Sequence, residues 1–259
     1  MKKRCLVVCC LVACFFLSEF ANASGELLET RKPFEATLSS KFISKYVDEA
    51  GVVVHNRPVI QTEVYVRNAE TGIYLDIFYS TSVKNPGRDS NSANEVNYTI
   101  GWSKTVGPID LDAGISYIDL TPLNNGAQGD AVKTFMAVSK EFNVIDGHKV
   151  TPFIRMEYGF SVKGNAAESS SGLQLHSGIK HAWQISEKLL INQKLMLVFD
   201  DGSYGMNRGW IGSYEVGPSY RINEWVSLDA NFRVVGPLHQ INDGRKEQFI
   251  GMIGLTFYF

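Results

Sequence analysis

The sequence predicts an all-β chain, a transmembrane antiparallel up-and-down β-barrel of about twelve strands. Three observations lead there. Apolar and polar residues alternate with period two in segment after segment, short connections alternate with longer ones, and aromatic residues gather at both ends of the apolar face. Composition agrees. Of 259 residues, 44% are hydrophobic, 12% aromatic and 20% charged, which is too apolar for a disordered chain. A formal net charge of −2 gives no basic balance of the kind that binds nucleic acid.

The N-terminus reads as a signal peptide, residues 1–23. Lys2, Lys3 and Arg4 form a basic start, an apolar run extends from Cys5 to Leu17, and Ala21-Asn22-Ala23 offers a small-x-small cleavage site before Ser24. The run is too short to span a bilayer. Its removal leaves 236 residues with 22 Lys and Arg against 26 Asp and Glu, a net charge of −4. All four cysteines (Cys5, Cys9, Cys10 and Cys14) leave with it, so no disulfide, thiolate metal site or cysteine nucleophile is expected in the mature chain. Leu11-Val12-Ala13-Cys14 also has the form of a lipobox, which would make Cys14 a lipid anchor. Either route exports the chain, and the signal type points to a Gram-negative bacterium. Residues 24–34 are expected to form a periplasmic extension and residues 35–259 the barrel.

Twelve alternating segments cover about residues 35–47, 59–67, 73–81, 95–104, 110–120, 131–142, 149–162, 171–183, 189–199, 207–221, 225–235 and 247–259. In the fourth, Val96, Tyr98, Ile100 and Trp102 oppose Asn97, Thr99, Gly101 and Ser103. In the seventh, Ile154, Met156, Tyr158 and Phe160 oppose Phe153, Arg155, Glu157 and Gly159. In the eleventh, Val226, Leu228, Ala230, Phe232 and Val234 oppose Ser227, Asp229, Asn231 and Arg233. A water-soluble sheet shows such alternation too. The connections separate the two cases: 68–72, 105–109, 143–148, 184–188 and 222–224 are short, whereas 48–58, 82–94, 121–130, 163–170, 200–206 and 236–246 are longer. Tight periplasmic turns and longer outer loops give this asymmetry.

Aromatic placement is sharper. Outward parity at the expected periplasmic ends gives Trp102, Phe142, Trp183, Tyr220, Phe257 and Phe259, and at the outer ends Tyr46, Tyr79, Tyr117, Phe160, Phe199, Trp210 and Phe249. These form two interfacial belts. The ten residue steps from Trp210 to Tyr220 span roughly 23 Å at a tilt near 45°, matching a hydrocarbon band about 25 Å tall. Lipid offers the backbone no hydrogen-bond partner, so the sheet must close on itself.

The chain ends Phe249-Ile250-Gly251-Met252-Ile253-Gly254-Leu255-Thr256-Phe257-Tyr258-Phe259, which is similar to the last strand of bacterial outer-membrane barrels. The resemblance implies that the barrel-assembly machinery recognises this strand and its terminal Phe259. The first hairpin, Leu38-Ser39-Ser40-Lys41-Phe42-Ile43-Ser44-Lys45-Tyr46 followed by Arg57-Pro58-Val59-Ile60-Gln61, resembles the opening of the TorF-like putative porins. That resemblance implies passive passage of small hydrophilic solutes, with outer-membrane lipid as the surroundings and no cofactor.

Functional residues are sought on the inward face. Its cations are Lys41, Lys45, Lys133, Arg155, Lys180, Lys194, Arg221 and Arg233, and its anions Glu63, Asp76, Asp112, Glu141, Glu157, Glu215 and Asp229. These fifteen are the candidate pore lining. Near-equal numbers argue against the one-sign ring of a strongly ion-selective pore. Twelve strands lie between a filled barrel and an open channel, so water-filled and interlocked interiors both remain open. Inward Tyr65, Tyr74, Phe78, Phe135, Phe153 and Tyr258 narrow the space. A non-conducting structural or surface barrel whose outer loops bind a partner is one alternative, and a barrel enzyme, a phospholipase or protease, is the other. Outward His181 lacks a Ser–Asn partner for a lipase, and Asp200, Asp201, His239 and Asp243 in outer loops match no protease spacing. His55 and His148 fall in links on opposite sides, and no cluster has metal-ligand spacing. No catalytic, cofactor or metal residue is assigned.

Overall fold

The protein is described from a computed structural model, for residues 33–84, 94–119, 130–161, 171–239, 241 and 244–259. The signal peptide, Cys14, the extension up to residue 32, the tip 163–170 and Asp243 lie outside the described residues.

Period-two alternation produces strands almost throughout. In chain order they are β1 (Phe34–Ile43), β2 (Tyr46–Val47), β3 (Val53–His55), β4 (Val59–Asn68), β5 (Ile73–Ser82), β6 (Glu95–Val106), β7 (Ile109–Asp119) and β8 (Ala131–Ser139). Then come β9 (Phe142–Ile145), β10 (His148–Ser161), β11 (Gly172–Gln184), β12 (Leu189–Asp200), β13 (Gly209–Arg221), β14 (Val226–Pro237) and β15 (Gln248–Tyr258). Neighbours pair antiparallel in the order β1, β4, β5, β6, β7, β8 with β9, β10, β11, β12, β13, β14, β15. The ladder from Thr37↔Tyr258 to Ile43↔Met252 then seals β15 to β1. With β8 and β9 counted as one interrupted strand, this is a closed twelve-stranded barrel without edges. Twelve strands about 4.8 Å apart and tilted about 40° enclose a backbone ring about 24 Å across.

The alternation sorts side chains across that wall. Along β10, Ile154, Met156 and Tyr158 project outward, at 59%, 46% and 46% exposure, whereas Glu157 between them is 4% exposed. The usual inside-out order of a soluble sheet is therefore inverted. Apolar residues cover the outer surface and charges face the lumen. Turns are tight. Gly72, between β4 and β5, has φ +80°, and a Cβ there would stand 2.4 Å from the Ser103 carbonyl oxygen. Only glycine fits that turn without displacing β6.

Three features depart from the sequence expectation. Strand β1 begins at Phe34, which pairs with Asn68, one residue before the expected start of the first segment. The sixth segment breaks between β8 and β9, with a register shift between His148 and Lys149 on the facing strand. The third departure is larger. Residues 44–58, read as the end of a strand and an outer loop, turn into the barrel, where β2 and β3 pair as a small hairpin. A bend at Ser44–Lys45 resets the alternation. Tyr46 is consequently not part of the outer belt. It points into the lumen, donates its hydroxyl proton to Glu95 Oε2 at 3.1 Å and packs 6.3 Å from the Phe78 ring.

Candidate functional site

The outer half of the lumen is built around residues 44–58. Val47 and Ala50 are 3% and 1% exposed. Val47 joins inward Ile43, Val59, Met196, Val198, Ile211, Val235 and Ile250 in one apolar cluster, and Gly51 sits against Ile211 and Val235. Burying one such side chain stabilises the seat by about 1.5–3 kcal/mol. Polar contacts fix its position. Lys194 Nζ donates to Glu49 Oε1 at 2.7 Å, Arg233 donates to the Val47 carbonyl, and Val52 N–H donates to Asp48 Oδ1 at 2.7 Å. His176 places Nδ1 3.3 Å from Glu49 Oε2 and Nε2 3.8 Å from Glu157 Oε2. Arg245 clamps the far side. It donates to Asp200 Oδ2 at 2.7 Å, to the Ala50 carbonyl at 3.4 Å and to the Asn207 carbonyl.

Burial and partners set the hairpin's carboxyls apart. Burial pushes Asp48 up to about 6, against the opposing pull of the Val52 hydrogen bond and Arg233. Burial also opposes ionisation of Glu49, but the His176 hydrogen bond and the Lys194 charge outweigh it and hold Glu49 well below the ordinary carboxylate range.

Of the fifteen charges singled out in the sequence, thirteen sit on wall strands with inward parity, while Lys45 lies in the bend after β1 and Glu141 in the break between β8 and β9. Nine have partners. Glu157 accepts from Lys133 at 3.0 Å and from Arg155 at 2.6 Å, and Glu141 from Lys149 at 2.9 Å. Lys194 and Arg233 hold the hairpin, and Lys45 donates to Gln248 Oε1 at 3.0 Å. Asp112 accepts from Tyr74 at 2.9 Å and Asp229 from Thr256 at 3.0 Å. The other six, Lys41, Glu63, Asp76, Lys180, Glu215 and Arg221, form no ion pair among the described residues. Lys149, Lys180, Lys194 and Glu215 border a cleft of about 260 Å³ in the wall.

The candidate girdle residues Trp102, Phe142, Trp183, Trp210, Tyr220, Phe257 and Phe259 have outward parity on the apolar surface. Beside Trp183 a polar ladder crosses four strands of this surface. Tyr214 donates to Gln193 Oε1 at 2.9 Å, Gln193 Nε2 stands 3.2 Å from His181 Nδ1, and His181 Nε2 stands 3.0 Å from His148 Nδ1. With Gln193 as donor, His181 carries its proton on Nε2 and passes a hydrogen bond to His148, so each side chain satisfies the next. His148 is thus the first residue of β10 and a partner of His181, not a link residue.

Asp200, read as a solvated loop carboxylate, is fully buried and occupied by Arg245, Ser203 and the Gly202 N–H. Asp201 pairs with exposed Arg208 at 3.3 Å. Among the described residues no group of three His, Cys, Asp or Glu is placed to hold a metal ion. Sequence reasoning missed Glu49, Glu95 and Arg245 as lumen residues. The usable signal was Ala50-Gly51-Val52-Val53-Val54, an apolar run with no reason to face water in an outer loop.

Among solved structures the barrel is similar to the NanC porin, at 10% identity and TM-score 0.55 over 86% of this chain and 98% of that one. It is similar to the KdgM porin, at 12% identity and TM-score 0.55 over 86% and 99%. It also resembles the COG4313 outer membrane channel from Pseudomonas putida F1, at 10% identity and TM-score 0.51 over 87% and 95%. At these identities the likeness shows the fold, that of porin-like bacterial outer-membrane barrels. No protein-family model matches the chain, and no curated protein matches it.

Proposed function

We propose that the chain is a non-enzymatic outer-membrane channel, related to the TorF-like putative porins, through which small hydrophilic solutes diffuse passively. The observation that carries this reading is the set of unpaired charges on the lumen wall. Lys41, Glu63, Asp76, Lys180, Glu215 and Arg221 would be costly in a dry, interlocked interior and cost little beside water. The fifteen candidate charges then act as the pore lining, and residues 44–58 as the constriction. Residues 1–23 serve as the export signal, the outer apolar surface meets outer-membrane lipid, and the barrel-assembly machinery reads the strand ending in Phe259.

Planar-bilayer recordings of the refolded mature chain test the proposal, with discrete channels expected and their absence overturning it. The filled outer half favours a second reading, a barrel kept shut by its own hairpin. A variant lacking residues 48–54 separates the two. If the hairpin only narrows the path, the variant gains conductance over an already conducting parent. If it shuts the path, only the variant conducts.

A further inference from the structure

The lumen charges are balanced in number but not in place. Glu63 on β4 and Asp76 on β5 are diagonal neighbours on one stretch of wall, since Glu63 faces Phe78 and Tyr65 faces Asp76 across the ladder. Lys180 on β11 and Lys194 on β12 are direct cross-strand partners. Like charges at such positions weaken a sheet. Lys194 is offset by Glu49, whereas Lys180, Glu63 and Asp76 have no ion partner among the described residues, and Asp76 Oδ1 is buried without a hydrogen-bond partner. Lys180 and Lys194 both lie over the Phe153 ring, at 5.4 and 5.7 Å, yet ion pairing gives no reason for either like-charged pair.

Their placement gives one. In the ring order β4 stands six strands from β11, and β5 six strands from β12, so the acidic pair faces the basic pair across the lumen. The segregation extends further. Among the described residues β4 to β7 carry inward Glu63, Asp76, Glu95, Asp110 and Asp112, with Arg67 at the periplasmic end bound to Glu35. Across from them, β11 to β14 carry inward Lys180, Lys194, Arg221 and Arg233 against Glu215, Asp229 and the Arg245-bound Asp200, so that wall is net positive. The lumen holds a field directed from one wall to the other. A monovalent solute is drawn by one wall and repelled by the other, and a polyanion is repelled along the whole of β4 to β7. A solute with separated ammonium and carboxylate groups gains from both walls when it turns to match them.

We propose that the lumen favours small zwitterionic solutes, of the class of short peptides, over anions, cations and polyanions. This rests on the channel reading above. The test measures flux into liposomes carrying the mature chain, with four probes of nearly equal size: alanyl-alanine, its N-acetyl form (an anion), its amide (a cation) and its N-acetyl amide (neutral). At low salt the zwitterion is expected to pass about fivefold faster than either ion, each rate being divided by that of the neutral probe, which corresponds to about 1 kcal/mol. Near 1 M salt, where the Debye length is about 3 Å, the advantage should fade. Asp76→Asn with Glu63→Gln should move the preference toward the anion, and Lys180→Gln toward the cation. The salt arm needs no variant, so it stands even if these substitutions impair folding. Passage of the neutral probe with equal, salt-independent rates for the other three overturns the zwitterion proposal and leaves the channel standing. Exclusion of the neutral probe overturns both.

Discussion

At the scale of single residues, the buried ion pair of Arg245 and Asp200 is the most sensitive point outside the pore wall. Arg245 is 6% exposed and Asp200 is fully buried. Arg245→Ala leaves a buried carboxylate without its cation and should destabilise the barrel by about 3–5 kcal/mol, read as a lowered urea midpoint in detergent. The double variant Arg245→Met/Asp200→Leu removes both charges together and should recover most of that loss. Neither residue's role was legible in the sequence. Their contact joins positions 45 residues apart through two outer connections, and nothing in the local pattern of Asp200-Asp201 separates the buried carboxylate from the solvated one. Which strand charges share the inward parity was legible, because alternation fixes which face each side chain takes. Their partners were not, because pairing depends on register around the ring.

At the scale of the element, the inserted hairpin carries its own pH dependence. The Asp48 carboxyl titrates near 6 when seated and lower when the chain is free. A raised value means that seating favours the protonated form, so its contribution is complete below the ordinary carboxylate range and is lost as pH rises through about 6. Glu49 acts in the opposite sense. Its value is held down, so its contribution is present above the ordinary range and fades only in stronger acid. The groups facing them are Arg233, Lys133, Lys194, His176 and Asp200. The hairpin should therefore sit most firmly between the ordinary carboxylate range and about pH 6. Amide exchange across residues 44–58, corrected for intrinsic rates, should be slower at pH 5 than at pH 8, and Asp48→Asn should flatten that difference. Insertion of this segment was the main failure of sequence reading. A long connection suggests exposure to water, although Val47, Ala50 and Val52 give this segment apolar surface to bury.

At the scale of the whole molecule, closure was legible in the sequence alone, since the wall of a barrel in lipid imposes one periodicity on every segment and admits no edge. All twelve segments correspond to wall strands, with β8 and β9 sharing one of them. Lumen filling was not readable, because twelve strands permit either state. Removal of Phe259 should lower the yield of inserted barrel in cells more than it lowers the stability of barrel refolded in detergent, measured by heat-modifiable gel mobility. Phe259 gives the ring one backbone bond, its N–H donating to the Ala36 carbonyl at 3.0 Å. That bond also shows how near the two ends of the described ring are, with β1 and β15 side by side. A circularly permuted gene could join them with a short linker and open the chain at the 184–188 turn instead. The same ring would then emerge from the ribosome in a new order with a different final strand, which would separate what Phe259 does for a finished wall from what it tells the cell about an unfinished one.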